Sequence, residues 1–333
     1  MKKFFFFGFF LTAIGFAVLY KAGIIFSKRS MAPEVLPGKG LEQYDFFYAG
    51  EAKTQSMYIV HKGKITWSYI DTASKGEISD AVLMTNGNVL FAHQYGVTLI
   101  DSSKKILWHY DAAQGYEVHT AQPIGKEHVV FVQNGDTPKV IVMNILTNKT
   151  EKEFTIPVGN RKEVHPQFRH ARLTNKGTLL VTHMDMGKVC EYDINGKQLS
   201  SFTVPGVWGA EPLENGNILT CGGGVVREIT PKGDTTWMYA MKDVPGYTIN
   251  SPQLAIKRPN GNIVVNDWFN QWKGQGKADE SQLPIQFIEF TPDKKIVWAL
   301  RSWSEPYNLG PATIIQFLDD NRITENVFFG DIK

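Results

Sequence analysis

Residues 85–90 read TNGNVL, a tight turn that leads into an apolar strand. The same pattern returns as GKEHVV (125–130), NKGTLL (175–180), ENGNIL (214–219), PNGNIV (259–264) and DDNRIT (319–324). A second turn-and-strand motif alternates with it: GKITWSY (63–69), KKILWHY (104–110), NKTEKEF (148–154), GKQLSSF (196–202), GDTTWMY (233–239) and KKIVWAL (294–300). Asn-Gly between apolar runs is a strong hairpin signal, and a type I′ turn with positive φ at both central residues is expected there. The strands are short and alternate with period two, as in V-T-L-I-D, and no long amphipathic helical pattern follows residue 40. Units of roughly 40–50 residues with four short strands define propeller blades.

The repeat phase is offset at the two ends. FFYAGE, SMYIVH and ITWSYI match the second, third and fourth strands of a blade, and PATIIQFLDD matches a first strand. The ends are therefore expected to share one composite blade, which removes two open sheet edges. An all-β, six-bladed β-propeller is predicted, or a seven-bladed one if RITENVFF begins another unit.

Bulk composition narrows the function. The 333 residues are 43% hydrophobic and 20% charged, as in a folded chain. A net charge of +2 lacks the basic excess of a nucleic-acid binder, so no nucleic acid partner is expected. Cys190 and Cys221 lie in apolar strands and read as buried thiols, not as a disulfide framework. Residues 1–28 begin with Lys2 and Lys3 and run apolar from Phe4 to Tyr20, which is the pattern of an export segment. A membrane anchor and a cleaved signal peptide both fit, and no Cys follows that would make a lipoprotein. Either way the rest is expected outside the cytoplasm: periplasmic, membrane-anchored or at the cell surface. Residues 29–42 hold two Pro and two Gly and read as a linker, leaving 43–333 for the propeller.

The W-x-Y strands preceded by G-K turns resemble the quinoprotein-like (PQQ-like) propeller superfamily. That resemblance implies that Trp67, Trp108, Trp237 and Trp298 dock between blades. It does not bring the quinone, since there is no vicinal Cys pair and no obvious set of Ca²⁺-ligating carboxylates. No cofactor is expected.

First strands line a propeller's central channel, and the funnel at their starts is the expected binding site. Aligned on a small residue, they read ISDAV (78–82), HTAQP (119–123), RHARL (169–173), WGAEP (208–212), NSPQL (250–254) and GPATI (310–314). One aligned position carries Ser79, His119, Arg169, Trp208, Asn250 and Gly310; three residues later stand Val82, Gln122, Arg172, Glu211, Gln253 and Thr313. Strand alternation puts these two sets on opposite faces unless a bulge intervenes. By the same rule one of Arg169 and His170 points away from the channel. The first set suits a small polar ligand, carbohydrate-like or anionic: Trp208 would stack on a ring, and Arg169 would fork onto a carboxylate or sulfate. His93 and His183 close second strands on the same face. NDWFNQWKG (266–274), with Trp268 and Trp272, reads as a binding loop.

HTAQPIGKEH and RHARLTNKG also resemble first strands of arylsulfotransferase-type propellers. Those use a channel His as covalent sulfate carrier, which would make His119 that residue, with Arg169 or Arg172 stabilising the sulfuryl oxygens. Thr120 stands where that family has Asp. A polysaccharide lyase is an alternative, with its base and uronate neutraliser drawn from His119, His170, Arg169 and Tyr247. A glycosidase would use Glu211 and Asp267, and a protein-interaction scaffold would need none of these groups. No metal site is expected, because His165 and His170 lack further ligands at a useful spacing.

Overall fold

The computed structural model describes residues 32–51, 55–71, 76–249, 251–268, 284–320 and 324–333. It is an all-β propeller of six four-stranded antiparallel sheets. Five blades are continuous in sequence. Their inner strands are Asp80–Leu83, Glu117–Ile124, Phe168–Leu173, Val207–Pro212 and Ala255–Lys257, and their outer strands end at Asp111, Thr155, Thr203, Ala240 and Leu300. The sixth is composite, as the repeat phase requires. Ala312–Phe317 forms its inner strand and pairs with Phe46–Glu51, followed by Gln55–His61 and Lys64–Asp71.

Two local readings change. The hairpins after Leu83, Leu173, Pro212 and Lys257 are not type I′. In each, the glycine N–H bonds back three residues, as Gly87 does to Met84 and Gly216 to Leu213, and among the turn residues only the Gly has positive φ. This is a type I turn followed by a left-handed glycine, and Asn86, Asn215 and Asn260 instead cap the turn by accepting the N–H two residues on. The seven-bladed alternative also falls. Residues 324–333 run across the hairpin face: the Glu325 carboxylate accepts the Thr85 N–H at 3.0 Å, Gly330 N–H bonds Gly177 O, and Phe329 is fully buried against the second and third blades.

Adjacent blades are joined by side chains. Four Trp indoles on outer strands each donate to the next blade around the ring or, for the last, to the segment before the composite blade: Trp67 to Ser102 O, Trp108 to Asn148 Oδ1, Trp237 to Pro292 O and Trp298 to Gly40 O. Where the third-motif and fourth-motif copies lack Trp, Phe154 and Phe202 pack on Gly196 and Gly233 of the following blade. Nearer the axis, Gln316 clamps both backbone groups of Leu83, Gln122 accepts the Leu173 N–H, and Asn266 donates to Ala312 O. Residues 32–42, expected as a linker, lie against the fifth blade: Ala299 N–H bonds Pro37 O, and Ala32 and Leu36 join that blade's core. Arg258 reaches from the fifth blade over the rings of Tyr44 and Phe317 at 4.2 and 3.8 Å.

Trp298 is fully buried and meets Tyr44 and Phe317 edge-on. Trp298→Ala is expected to cost about 3–5 kcal/mol, as for a buried aromatic. Trp67 is only partly buried, and Trp67→Ala is expected to cost clearly less. Denaturant unfolding of the two variants measures the difference, and equal losses would contradict the assigned burial.

Candidate functional site

The two residue sets that alternation placed on opposite faces are reconciled by bulges. One extra residue is inserted where each of three inner strands begins: between Val118 and Thr120, between Phe168 and Ala171, and between Val207 and Gly209. The inserted positions are those of His119, the Arg169–His170 pair and Trp208. A bulge re-aims the side chains on either side of it. Of the early set, Ser79, His119, Arg169 and Trp208 gather at the mouth, while Val82, Gln122, Arg172 and Glu211 line the channel and border a cavity of about 310 Å³ toward the hairpin side. Gly209 permits the close approach of the fourth and fifth blades, since a Cβ there would stand 2.6 Å from Gln253 O.

At the mouth, groups from three blades interlock. Glu117 Oε2 accepts from His119 Nε2 at 2.7 Å and from His165 Nδ1 at 2.9 Å, and Oε1 accepts from Gln94 at 3.0 Å. His119 Nδ1 faces Ser79 Oγ at 3.0 Å. Arg169 Nη1 donates to Glu77 Oε1 at 2.5 Å and also contacts His119 Nδ1; Nη2 meets His165 Nε2 at 2.6 Å. The Arg169 guanidinium lies 5.5 Å from the Trp208 ring centre. His119 is wholly buried, whereas the His165 side chain is 49% exposed, so the chain of groups runs from the interior to solvent.

Electrostatics set the protonation states. Burial alone would raise the Glu117 carboxyl, but hydrogen bonds from His119 and His165 outweigh it and hold it well below the usual carboxylate range. Burial, and then the Arg169 charge, lower His119, although Glu117 and Glu77 oppose this. The mouth therefore holds an ionised carboxylate beside a neutral, buried imidazole. His119 carries its proton on Nε2 toward Glu117, which leaves Nδ1 the acceptor that Arg169 Nη1 and the Ser79 hydroxyl both face.

Other expected residues fall elsewhere. His170 turns back from the mouth: its Nδ1 meets Arg172 Nη2 at 3.3 Å, and burial followed by Arg172 pushes its pKa down to about 3. Arg172 forks onto Asp80 at 2.7 and 2.9 Å and bonds Glu211 at 3.1 Å, bridging the channel from the third blade to the first. His183 sits between Pro157 O (3.1 Å) and the Tyr192 hydroxyl (3.0 Å), stacked edge-on to Phe168, apart from the cluster; burial lowers it to about 4. His93 bonds Thr98 Oγ1. Trp268 follows the second strand of the fifth blade, its backbone N–H bonded to Ser251 O. Asn250 and Trp272 lie outside the described residues. Asp267 accepts the Ser251 N–H, and Tyr247 packs into the core shared by the fourth and fifth blades.

The sequence reading missed Glu77, Glu117 and His165 as site members. Glu77 and Glu117 stand two residues before Ser79 and His119 in the same alignment, so one more column would have shown them. His165 precedes its inner strand in an irregular loop, and no spacing links it to His119. Glu77, His119 and His165 offer three ligand atoms within 4.8 Å of one another. The Arg169 guanidinium is hydrogen-bonded to all three groups, so a cation already fills that position.

No family model matches the chain, and no curated protein matches it. Among solved structures it is similar to a Bacteroides caccae protein of unknown function, at 21% identity and a TM-score of 0.69, covering 83% of this chain and 99% of that one. It is also similar to a catalytically inactive histidine-to-alanine variant of virginiamycin B lyase from Staphylococcus aureus, solved with quinupristin (15% identity, TM-score 0.55, 80% and 88% covered). The WD40 propeller domain of Doa1 follows at 16% identity and TM-score 0.51, with 66% and 71% covered. These likenesses establish the β-propeller fold.

The buried histidines make stability sensitive to acid. An unfolded His titrates near 6.5, and folded His170 and His183 near 3 and 4. Between those values the unfolded chain binds more protons, so their contribution is whole above about pH 7 and falls as the pH drops. The slope reaches about 1.4 kcal/mol per pH unit for each such His. The melting temperature is expected to fall between pH 6.5 and 4.5, and less steeply in His183→Gln. A slope unchanged by that substitution would contradict the assignment.

Proposed function

We propose that this chain binds a polar, carbohydrate-like ligand at the propeller mouth and acts on it by general acid–base catalysis. The observation that carries this reading is the shared Glu117 carboxylate, which orients a buried and a solvent-facing imidazole at once. His165 is the proton-transferring group that meets the ligand, and Glu117 and Arg169 hold its ring. Trp208 supplies the stacking surface.

The ligand class narrows to neutral polar molecules. A carboxylate or sulfate needs an open arginine fork, yet Arg169 is committed to Glu77 and Arg172 to Asp80 and Glu211. The sulfate-carrier reading fares poorly as well. His119 is wholly buried, so its ring does not reach a sulfuryl donor held at the surface of the mouth. The lyase among the similar propellers shows that this fold can carry a catalytic histidine, and the resemblance to quinoprotein-like propellers rests on the Trp clamps. The basic, apolar start of the chain supports action outside the cytoplasm.

Thermal shifts over a panel of neutral glycans, acidic glycans and aryl sulfates test the ligand class. Neutral glycans are expected to stabilise the chain, and Trp208→Ala to abolish the shift. With a substrate found, His165→Gln is expected to lower turnover about 10²–10⁴-fold. No shift across the panel would overturn the reading in favour of a scaffold. Cell fractionation is expected to find the propeller in the periplasmic, membrane or surface fraction, and recovery in the cytoplasm alone would remove the proposed export.

A further inference from the structure

Ser79 has no part in the reading above, yet its surroundings are those of an activated nucleophile. Its hydroxyl lies 3.0 Å from His119 Nδ1, and His119 Nε2 lies 2.7 Å from Glu117 Oε2. The three groups form a hydroxyl–imidazole–carboxylate line from two neighbouring blades. Glu77 Oε1 stands 3.2 Å from the hydroxyl, on the side of Nδ1. Arg169 Nη1, bonded to Glu77 Oε1 and in contact with His119 Nδ1, stands 3.4 Å from Ser79 Oγ, so the guanidinium charge lies beside an oxygen bonded to the carbon under attack.

We propose that Ser79 is the nucleophile of an acyl-transfer centre, acting on carboxylic esters carried by the polar ligand of the mouth. The inference rests on the reading of the mouth as an acid–base site and names its substrate class. Ser79 Oγ bonds to the ester carbonyl carbon while its proton passes to His119 Nδ1, and the Arg169 N–H that contacts Nδ1 turns to the carbonyl oxygen. Glu117, hydrogen-bonded to Nε2, and Glu77 beside Nδ1 stabilise the imidazolium that results. The carbonyl oxygen becomes an oxyanion facing Arg169 Nη1. Collapse breaks the bond to the alkoxy oxygen, which leaves as alcohol with the proton from His119. Water then attacks the acyl-serine with His119 as base, releasing the carboxylic acid and restoring Ser79. The sum is ester plus water giving acid plus alcohol. The arrangement is recognised by geometry and roles, not by sequence order.

The test treats the full chain with an aryl fluorophosphonate, locates the adduct by peptide mass spectrometry, and follows hydrolysis of p-nitrophenyl acetate. The adduct is expected on Ser79. Ser79→Ala is expected to lose it and to lower ester hydrolysis by roughly 10³-fold or more. Glu117→Gln, a change in a positioning residue, is expected to keep the serine labelled more slowly and to alter the pH profile of hydrolysis. An unlabelled Ser79 in the wild-type chain, or equal hydrolysis by wild type and Ser79→Ala, overturns the proposal. Glycan-induced thermal shifts in Ser79→Ala separate the two ideas. If they persist while labelling fails, only the nucleophile is lost and the mouth remains a binding site. If wild type shows neither, both readings fall.

Discussion

Ring closure is the constraint on which everything else depends. The strand Ala312–Phe317 pairs with Phe46–Glu51, and that pairing brings the first blade against the composite one. Phe46, Phe47, Tyr48 and Phe317 are buried along it, each contributing roughly 1.5–3 kcal/mol by leaving water. Among the described residues, inner strands of neighbouring blades share no hydrogen-bonded ladder. They are held by single side chains such as Gln316, Thr313 and Asn266 that reach backbone groups across the gap. Those staples align only if the ring closes at one circumference. The mouth inherits its geometry from the same closure, because Ser79, His119 and Arg169 come from three consecutive blades.

The architecture was legible because a repeat states its rule many times over. Six copies of a turn and strand leave little room for another fold, and the phase offset at FFYAGE and PATIIQFLDD specified the composite blade. What escaped was local. Asn-Gly suggested a type I′ turn, but a type I turn with a left-handed Gly satisfies the same two residues and lets Asn cap the turn instead. RITENVFF had the look of a new unit, yet its phenylalanines fill space under existing blades.

The site was half legible, for a definite physical reason. Alternation predicts which side of a strand a residue occupies only while the register holds, and the register breaks at His119, at Arg169–His170 and at Trp208. The alignment therefore found the right positions without showing that the later set also faces the axis. His183 illustrates the opposite failure. It ends its strand toward the mouth, but a Pro157 carbonyl and the Tyr192 hydroxyl satisfy both its nitrogens within the core. Charge pairing was invisible too. Arg169 and Arg172 read as open anion receptors until Glu77, Asp80 and Glu211 were placed beside them.

A single oxygen of Glu117 serves both His119 and His165. Two rings that lean on one acceptor cannot be oriented independently, because displacing the outer ring moves the oxygen that fixes the inner one. A side chain at the surface thereby sets the tilt of a ring that water never touches.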